Sequence, residues 1–191
     1  MEGRGRDEPL DELVDAVRAG DRDAIAAVYL EVAPGLRGFL RRRVGHGEVA
    51  DDLVEQTFVE LIEGCGRIRG DGRSLRAWLY RAARNNLHDW RKRAERRSDH
   101  ELTAERVASV VDSDPDPAEH AIGGALDAQV VAALAELTAE QREVVELRLV
   151  AELSTAQVAE ITGRTVGAVK ALQHRAVRRL AELLAPAWRD G

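Results

Sequence analysis

Cysteine occurs once in the 191 residues, as Cys65 between two glycines, which excludes an internal disulfide and a cysteine-built zinc site. Histidine is equally thin: His46, His88, His100, His120 and His174 are scattered and match no metal-ligand or nucleophile template. Catalytic residues, bound metal and cofactors are therefore not expected. From Met1 to Asp11 the chain is polar and charged with no apolar stretch behind it, so neither a secretory signal nor a membrane span is expected. A cytoplasmic location follows. No run of residues alternates apolar and polar in the manner of a strand.

What is present is a chain with 45% hydrophobic and 32% charged residues, enough to bury one ordinary core or two small ones. A formal net charge of −6 argues, taken alone, against a nucleic-acid partner. The charges are segregated, however. Basic residues gather at Arg84, Arg91, Lys92, Arg93, Arg96 and Arg97, and again at Arg164, Lys170, Arg175, Arg178 and Arg179. A local patch decides phosphate binding more than the total does.

Apolar residues recur at helical spacing, as in Leu10, Leu13, Val14, Val17 and then Ile25, Val28, Tyr29, Val32, which predicts an all-α fold. Gly20-Asp21 reads as a helix stop and a fresh cap, Pro34-Gly35 as a second break, and Gly45-His46-Gly47 as a third. The next helix, about 49–63, places Leu53, Val54, Thr57, Phe58, Leu61 and Ile62 on one face and Asp51, Asp52, Glu55, Gln56 and Glu60 on the other. After a glycine-rich loop, Ser74 is the expected cap of a longer helix with Leu75, Trp78, Leu79, Ala82, Ala83, Leu87 and Trp90 along its stripe. Both tryptophans fall on that stripe and read as core. Between about 98 and 124 periodicity gives way to Asp, Glu, Ser and Pro, a flexible acidic linker with a span of about 30 Å. The expected organisation is a helical domain over 1–97, the linker over 98–124, and a second small helical domain over 125–191.

From Ser154 to Lys170 the sequence reads as a helix, a glycine turn and a second helix capped by Thr165, the pattern of a helix-turn-helix. Val166, Val169, Ala176 and Leu180 fit the buried side of the second helix. Its other side offers Lys170, Ala171, His174, Arg175 and Arg178, suited to phosphates and base edges in a major groove, with Arg175 placed for a bidentate guanine contact. The bland alternative is a solvated face that happens to be basic. Glu160 is the one acid between Ser154 and Leu180, which favours DNA.

These motifs together resemble the extracytoplasmic-function sigma factors of bacterial RNA polymerase, which have two helical domains, regions two and four, joined by a flexible linker. The stretch from Ala50 to Phe58 is similar to the family's polymerase-docking helix, which implies that Asp52, Glu55 and Gln56 contact the polymerase core. Residues Ile68 to Leu79 are similar to the loop and helix that open the minus-ten element and trap an unpaired base, implying roles for Arg69, Asp71 and Ser74. Residues Ala82 to Arg93 resemble the helix that reads the same element, with Asn85 at a base edge and Arg91, Lys92 and Arg93 on the backbone. Leu137 to Leu149 and Val166 to Leu180 resemble region four. There the resemblance implies minus-thirty-five contacts by Arg164, Thr165, Lys170, Ala171, His174, Arg175 and Arg178. Its implied partners are the RNA polymerase core, promoter DNA, and an anti-sigma factor covering those faces.

Two other readings compete. An operator-binding regulator would use the helix-turn-helix as a dimer and ignore polymerase; the basic region from Arg84 to Arg97 argues against it, because a sensor domain needs no second nucleic-acid footprint. A catalytic helical bundle would need clustered histidines and carboxylates, which the sequence does not supply.

Overall fold

The computed structural model describes residues 8–101 and 125–185. Every regular element among them is helical. The chain divides into two units, Met1–Ser113 and Asp114–Gly191.

In the first unit, α1 spans Glu8–Arg18, α2 Arg22–Val44, α3 Gly47–Gly64 and α4 Gly72–Glu101, with a 3-10 turn at Cys65–Arg67 between α3 and α4. Helix α1 ends as the sequence suggests. Asp21 N–H bonds back to Ala16 O at 3.0 Å and Gly20 N–H to Val17 O at 2.9 Å, after which the Asp21 carboxylate caps α2 through Ala24 N–H at 2.9 Å.

The expected break at Pro34-Gly35 is absent, and α2 runs through it. Proline inside a helix costs about 3 kcal/mol through a lost hydrogen bond and a clash with the preceding turn. Here Val28, Val32, Leu36, Phe39 and Leu40 are buried on both sides of the proline at unbroken helical spacing. Each such side chain contributes about 1.5–3 kcal/mol on burial, so the continuous stripe outweighs the proline, which faces solvent. Gly35 serves packing, since a Cβ there would lie 2.7 Å from the Tyr80 hydroxyl.

Helix α1 packs on α2 and α4, and α3 packs on α2 and α4. Leu10, Val14 and Val17 on α1 are buried in the core of this unit, as are Leu36, Leu40, Leu53, Leu61, Leu75, Leu79 and Leu87. Two edge-on aromatic pairs add to it, Tyr29 with Phe58 at 4.8 Å and Phe39 with Tyr80 at 5.6 Å, each contributing about 0.5–1.5 kcal/mol beyond its area. Arg43 lies 3.7 Å over the Phe39 ring.

Two local expectations are corrected. Ile62 is 57% exposed: it lies at the edge of the apolar stripe in the last turn of α3. Helix α4 is capped by Asp71 rather than Ser74. Asp71 Oδ1 accepts the Ser74 N–H at 2.9 Å and the Ser74 hydroxyl at 2.7 Å, which places Ser74 inside the first turn. Helix α4 also continues to Glu101, into the expected linker; the remainder, 102–124, lies outside the described residues. Trp78 and Trp90 are half-buried on α4.

The second unit contains α5 at Ala125–Ala135, α6 at Ala139–Val145, a π turn at Glu146–Val150, α7 at Thr155–Thr162 and α8 at Val166–Leu184. Helices α5, α6 and α7 all pack against α8. Capping boxes open α6 at Thr138 with Gln141 and α7 at Ser154 with Gln157. Arg142 donates to the carbonyls of Leu134, Ala135 and Leu137 at 2.8, 2.6 and 3.2 Å, satisfying the end of α5 with a positive charge. The buried set includes Leu147, Leu153, Val158, Ile161, Val169, Leu172 and Ala176. Val166, expected on the buried side, is 43% exposed at the first position of α8, where the helix has not yet completed a turn. Leu172 fills the stripe instead.

Candidate polymerase and nucleic-acid interfaces

On α3, Asp52, Glu55 and Gln56 are exposed, and Gln56 donates to Glu60 at 3.4 Å. Their neighbour Asp51 is engaged by the fold itself. Its carboxylate accepts from Arg37 Nε at 2.5 Å, tying α3 to α2, and this bond holds the Arg37 pKa above its ordinary value. The structure thus separates two adjacent acids of identical chemistry. It also adds apolar surface: Val59 is 45% exposed and stands seven residues after Asp52 and four after Glu55, at the middle of the outward face. Sequence reasoning left Val59 unassigned, although its spacing from the three polar residues was there to be read.

The segment entering α4 is held in alternation. The Ile68 side chain is buried and its carbonyl accepts from Arg18 Nε at 3.1 Å. The Gly70 carbonyl accepts from Arg18 Nη2, and the Gly72 N–H donates to Asp11 Oδ1 at 2.6 Å. Arg69 and Asp71, at the intervening positions, are exposed. Arg69 folds back onto Gly66 O at 2.9 Å and Ile68 O at 3.1 Å. The two bonds from Ser74 hold the Asp71 carboxyl below its ordinary pKa. Neither Arg18 nor Asp11 stands out in the sequence, because each acts on residues more than fifty positions away or close to it.

Along α4, Ser74, Trp78, Arg81, Asn85, His88 and Lys92 recur at helical spacing on one line, half-buried at Ser74, Trp78 and Arg81 and turned outward from Asn85 on. Asn85 and Lys92 are exposed on it. Arg91 and Arg93 are exposed to either side, and Arg91 also donates to the Arg43 carbonyl at 3.0 Å, which caps the end of α2.

In the second unit, α7 ends with Gly163 at φ +68, and Arg164 N–H returns to Ala159 O at 2.9 Å. The turn delivers Thr165 as the cap of α8, its hydroxyl accepting from Ala168 N–H at 3.2 Å. Arg164 pairs with Glu140 at 2.9 Å and so also braces α6. Lys170, Ala171, His174, Arg175 and Arg178 are all exposed. Gly167, Ala171, His174 and Arg178 share one line along α8, with Lys170 on one flank and Arg175 on the other. Arg178 and Arg179 approach Glu182 at 3.8 and 3.7 Å, both on the surface.

Among the described residues no group of three or more His, Cys, Asp or Glu side chains could hold a metal ion. No helix among them is long and apolar enough to cross a membrane.

Known proteins share both units. Residues 28–97 match the family Sigma-70 region 2, and residues 127–180 match Sigma-70, region 4. The chain is 34% identical over 179 residues to the ECF RNA polymerase sigma factor SigD of Mycobacterium tuberculosis, covering 92% of this chain and 84% of that protein. It is 33% identical over 173 residues to the ECF RNA polymerase sigma factor BldN of Streptomyces coelicolor, covering 91% of this chain and 65% of that protein, just under two thirds of its length. The sigma factor RpoE of Bartonella quintana, solved in complex with the anti-sigma factor NepR, is similar at 27% identity and a TM-score of 0.60, over 82% of this chain and 94% of that one.

Proposed function

The chain belongs to the extracytoplasmic-function sigma factors of RNA polymerase, and on that premise we propose a division of labour among its faces. As a sigma factor it directs core polymerase to promoters. In the proposed division, residues 1–97 dock on the polymerase and open the minus-ten element, 98–124 link, and 125–191 read the minus-thirty-five element.

Asp52, Glu55 and Gln56, around the apolar Val59, form the polymerase-docking face. An acidic rim steers approach to a basic surface, and the apolar centre supplies area that is removed from water on contact. Asn85 reads a base edge in the minus-ten element, Arg91, Lys92 and Arg93 hold its backbone, and the loop with Arg69, Asp71 and Ser74 receives the unpaired base. On α8, Lys170, Ala171, His174, Arg175 and Arg178 face the minus-thirty-five groove, while Arg164 and Thr165 fix the angle at which the helix enters.

The observation that carries this reading is the presence in one unit of an acidic outward face on α3 beside an outward line on α4 bearing Asn85 and Lys92. A regulator that ignored polymerase would have use for the second and none for the first. The proposed chain works in the cytoplasm with the polymerase, performs no covalent chemistry of its own, and leaves phosphodiester formation to its partner. The likeness to a sigma factor solved with an anti-sigma factor supports an inhibitory partner of that kind, which would cover the same faces.

Run-off transcription with bacterial core polymerase on fragmented high-GC genomic DNA tests the proposal. Discrete new start sites that disappear when Asp52 and Glu55 are replaced by Lys are expected. DNA binding without new start sites, beside demonstrably active core enzyme, would instead support the operator-binding regulator.

A further inference from the structure

The loop leading into α4 is held from outside itself, at every second residue, by one helix. Arg18 spreads its guanidinium over two carbonyls, Ile68 O at 3.1 Å and Gly70 O, while Asp15 on the same helix holds the guanidinium at 2.7 Å. One turn from the start of α1, Asp11 takes the Gly72 N–H at 2.6 Å, placing a negative charge at the N-terminal end of α4. The contact is close: a Cβ on Gly72 would lie 2.6–2.7 Å from Asp11 N and from Leu10. Gly70 has φ +90, so the backbone between the two anchors takes a conformation that other residues rarely adopt.

Holding residues 68, 70 and 72 leaves 69 and 71 facing outward, and these are Arg69 and Asp71. We propose that Arg18 and Asp11 are positioning residues for strand opening: helix α1 sets the shape of loop 68–72 before DNA arrives, so that the loop can receive an unpaired base. The inference rests on the reading of this loop as part of the minus-ten apparatus. Unstacking a base is unfavourable, and a receptor that must also order itself returns less of that free energy. A planar fork that bridges two carbonyls removes this ordering step in a way that a single ammonium cannot.

The clamp acts on opening and not on docking, which gives it a specific signature. Full-length wild type, Arg18→Gln, Arg18→Lys and Asp11→Ala are each assembled with core polymerase on one promoter fragment recovered by run-off transcription. The fragment is supplied both as a duplex and with mismatched, already unpaired bases across the minus-ten element. Run-off product and permanganate reactivity of unpaired thymines are read on both. Arg18→Gln and Arg18→Lys are expected to reduce opening of the duplex about tenfold and to work within about twofold of wild type on the pre-opened template. Asp11→Ala, at an exposed position, is expected to show the same split more weakly. Equal loss on both templates, full activity of Arg18→Lys on the duplex, or no loss in any variant would overturn the clamp. Wild type that yields no promoter fragment in the run-off experiment would overturn the sigma-factor reading itself, whereas a fully active wild type beside unaffected variants overturns only the clamp.

Discussion

Asn86 donates its side-chain amide to the Thr57 hydroxyl at 3.3 Å, and of the two adjacent asparagines on α4 it is Asn85 that faces outward. Thr57 is itself buried and donates to Leu53 O at 2.7 Å, so the hydroxyl is oriented to accept. One asparagine fastens α4 to α3 and the other is exposed, as its proposed contact with a base edge requires.

The two residues should therefore separate in experiment. Asn85→Ala is expected to reduce discrimination at one minus-ten position by about 1–3 kcal/mol while leaving the melting temperature unchanged. Asn86→Ala is expected to lower stability by about 1 kcal/mol and keep the promoter preference. Thermal melts combined with transcription from a panel of single-base promoter variants check both, and a shared specificity defect would refute the assignment.

Adjacent acids on α3 divide in the same manner. Asp52→Lys, Glu55→Lys and Val59→Asn are expected to weaken binding to core polymerase at least tenfold, with helical content and melting temperature retained. Asp51→Asn removes the Arg37 pair, which is partly exposed on both sides, and should cost stability about 0–1 kcal/mol without a comparable binding defect. Fluorescence anisotropy of labelled chain against core enzyme, at low and high salt, distinguishes the charge variants from Val59→Asn. Only the charge variants should change the salt dependence.

The limits of legibility are visible at the same scale. Helical periodicity was enough to indicate an all-α chain, the stripes of α1 and α3, and the helix-turn-helix, because a burial pattern is local and repetitive. Pro34 was misread as a break because proline chemistry is local, while the packing that overrides it, from Val28 to Leu40, is summed over six buried side chains. Ser74 was misread as a cap because Asp71 and Ser74 are both capping residues three apart, and composition does not say which one lies outside the helix. Arg164, read as a DNA contact, is also engaged by Glu140 from a different helix. The two anchors on loop 68–72 left no trace in the sequence: Arg18 and Asp11 reach it across about fifty to sixty residues, and nothing near them marks their target.

Acid should weaken the start of α4 in a particular direction. The bonds from Ser74 favour the Asp71 carboxylate and depress its folded-state pKa. A depressed folded-state value contributes stability that is fully present above the unfolded pKa, about 3.9, and is lost as pH falls through the folded-state value. Asp71→Ala is expected to lower stability at neutral pH by about 1 kcal/mol, the usual effect of losing a cap. The gap to wild type should narrow below about pH 4 as the wild-type carboxylate protonates. Thermal melts across that range test it; a gap that stays constant into strong acid would mean that the carboxylate charge contributes nothing to the cap.

At the front of α8 the outward line begins with Gly167, where an added Cβ would meet nothing within 4 Å. Glycine inside a helix costs about 1 kcal/mol relative to alanine, and no neighbour within the protein requires its absence of a side chain. Gly167 and Ala171 are small residues four apart, ahead of His174 and Arg178, so the helix is thinnest where it would enter a groove. Gly167→Ala is thus expected to raise or preserve thermal stability and at the same time weaken binding to minus-thirty-five DNA several-fold. Beside it, Arg175→Ala should relax sequence preference at one position, and Arg178→Ala should weaken all sequences alike and reduce the salt slope by about 1. Binding of the full chain with core polymerase to promoter variants over a salt series reads all three. Tighter binding by Gly167→Ala would mean that the glycine gives no clearance to DNA, and identical sequence profiles for the two arginine variants would remove the distinction between base and phosphate contacts on this helix.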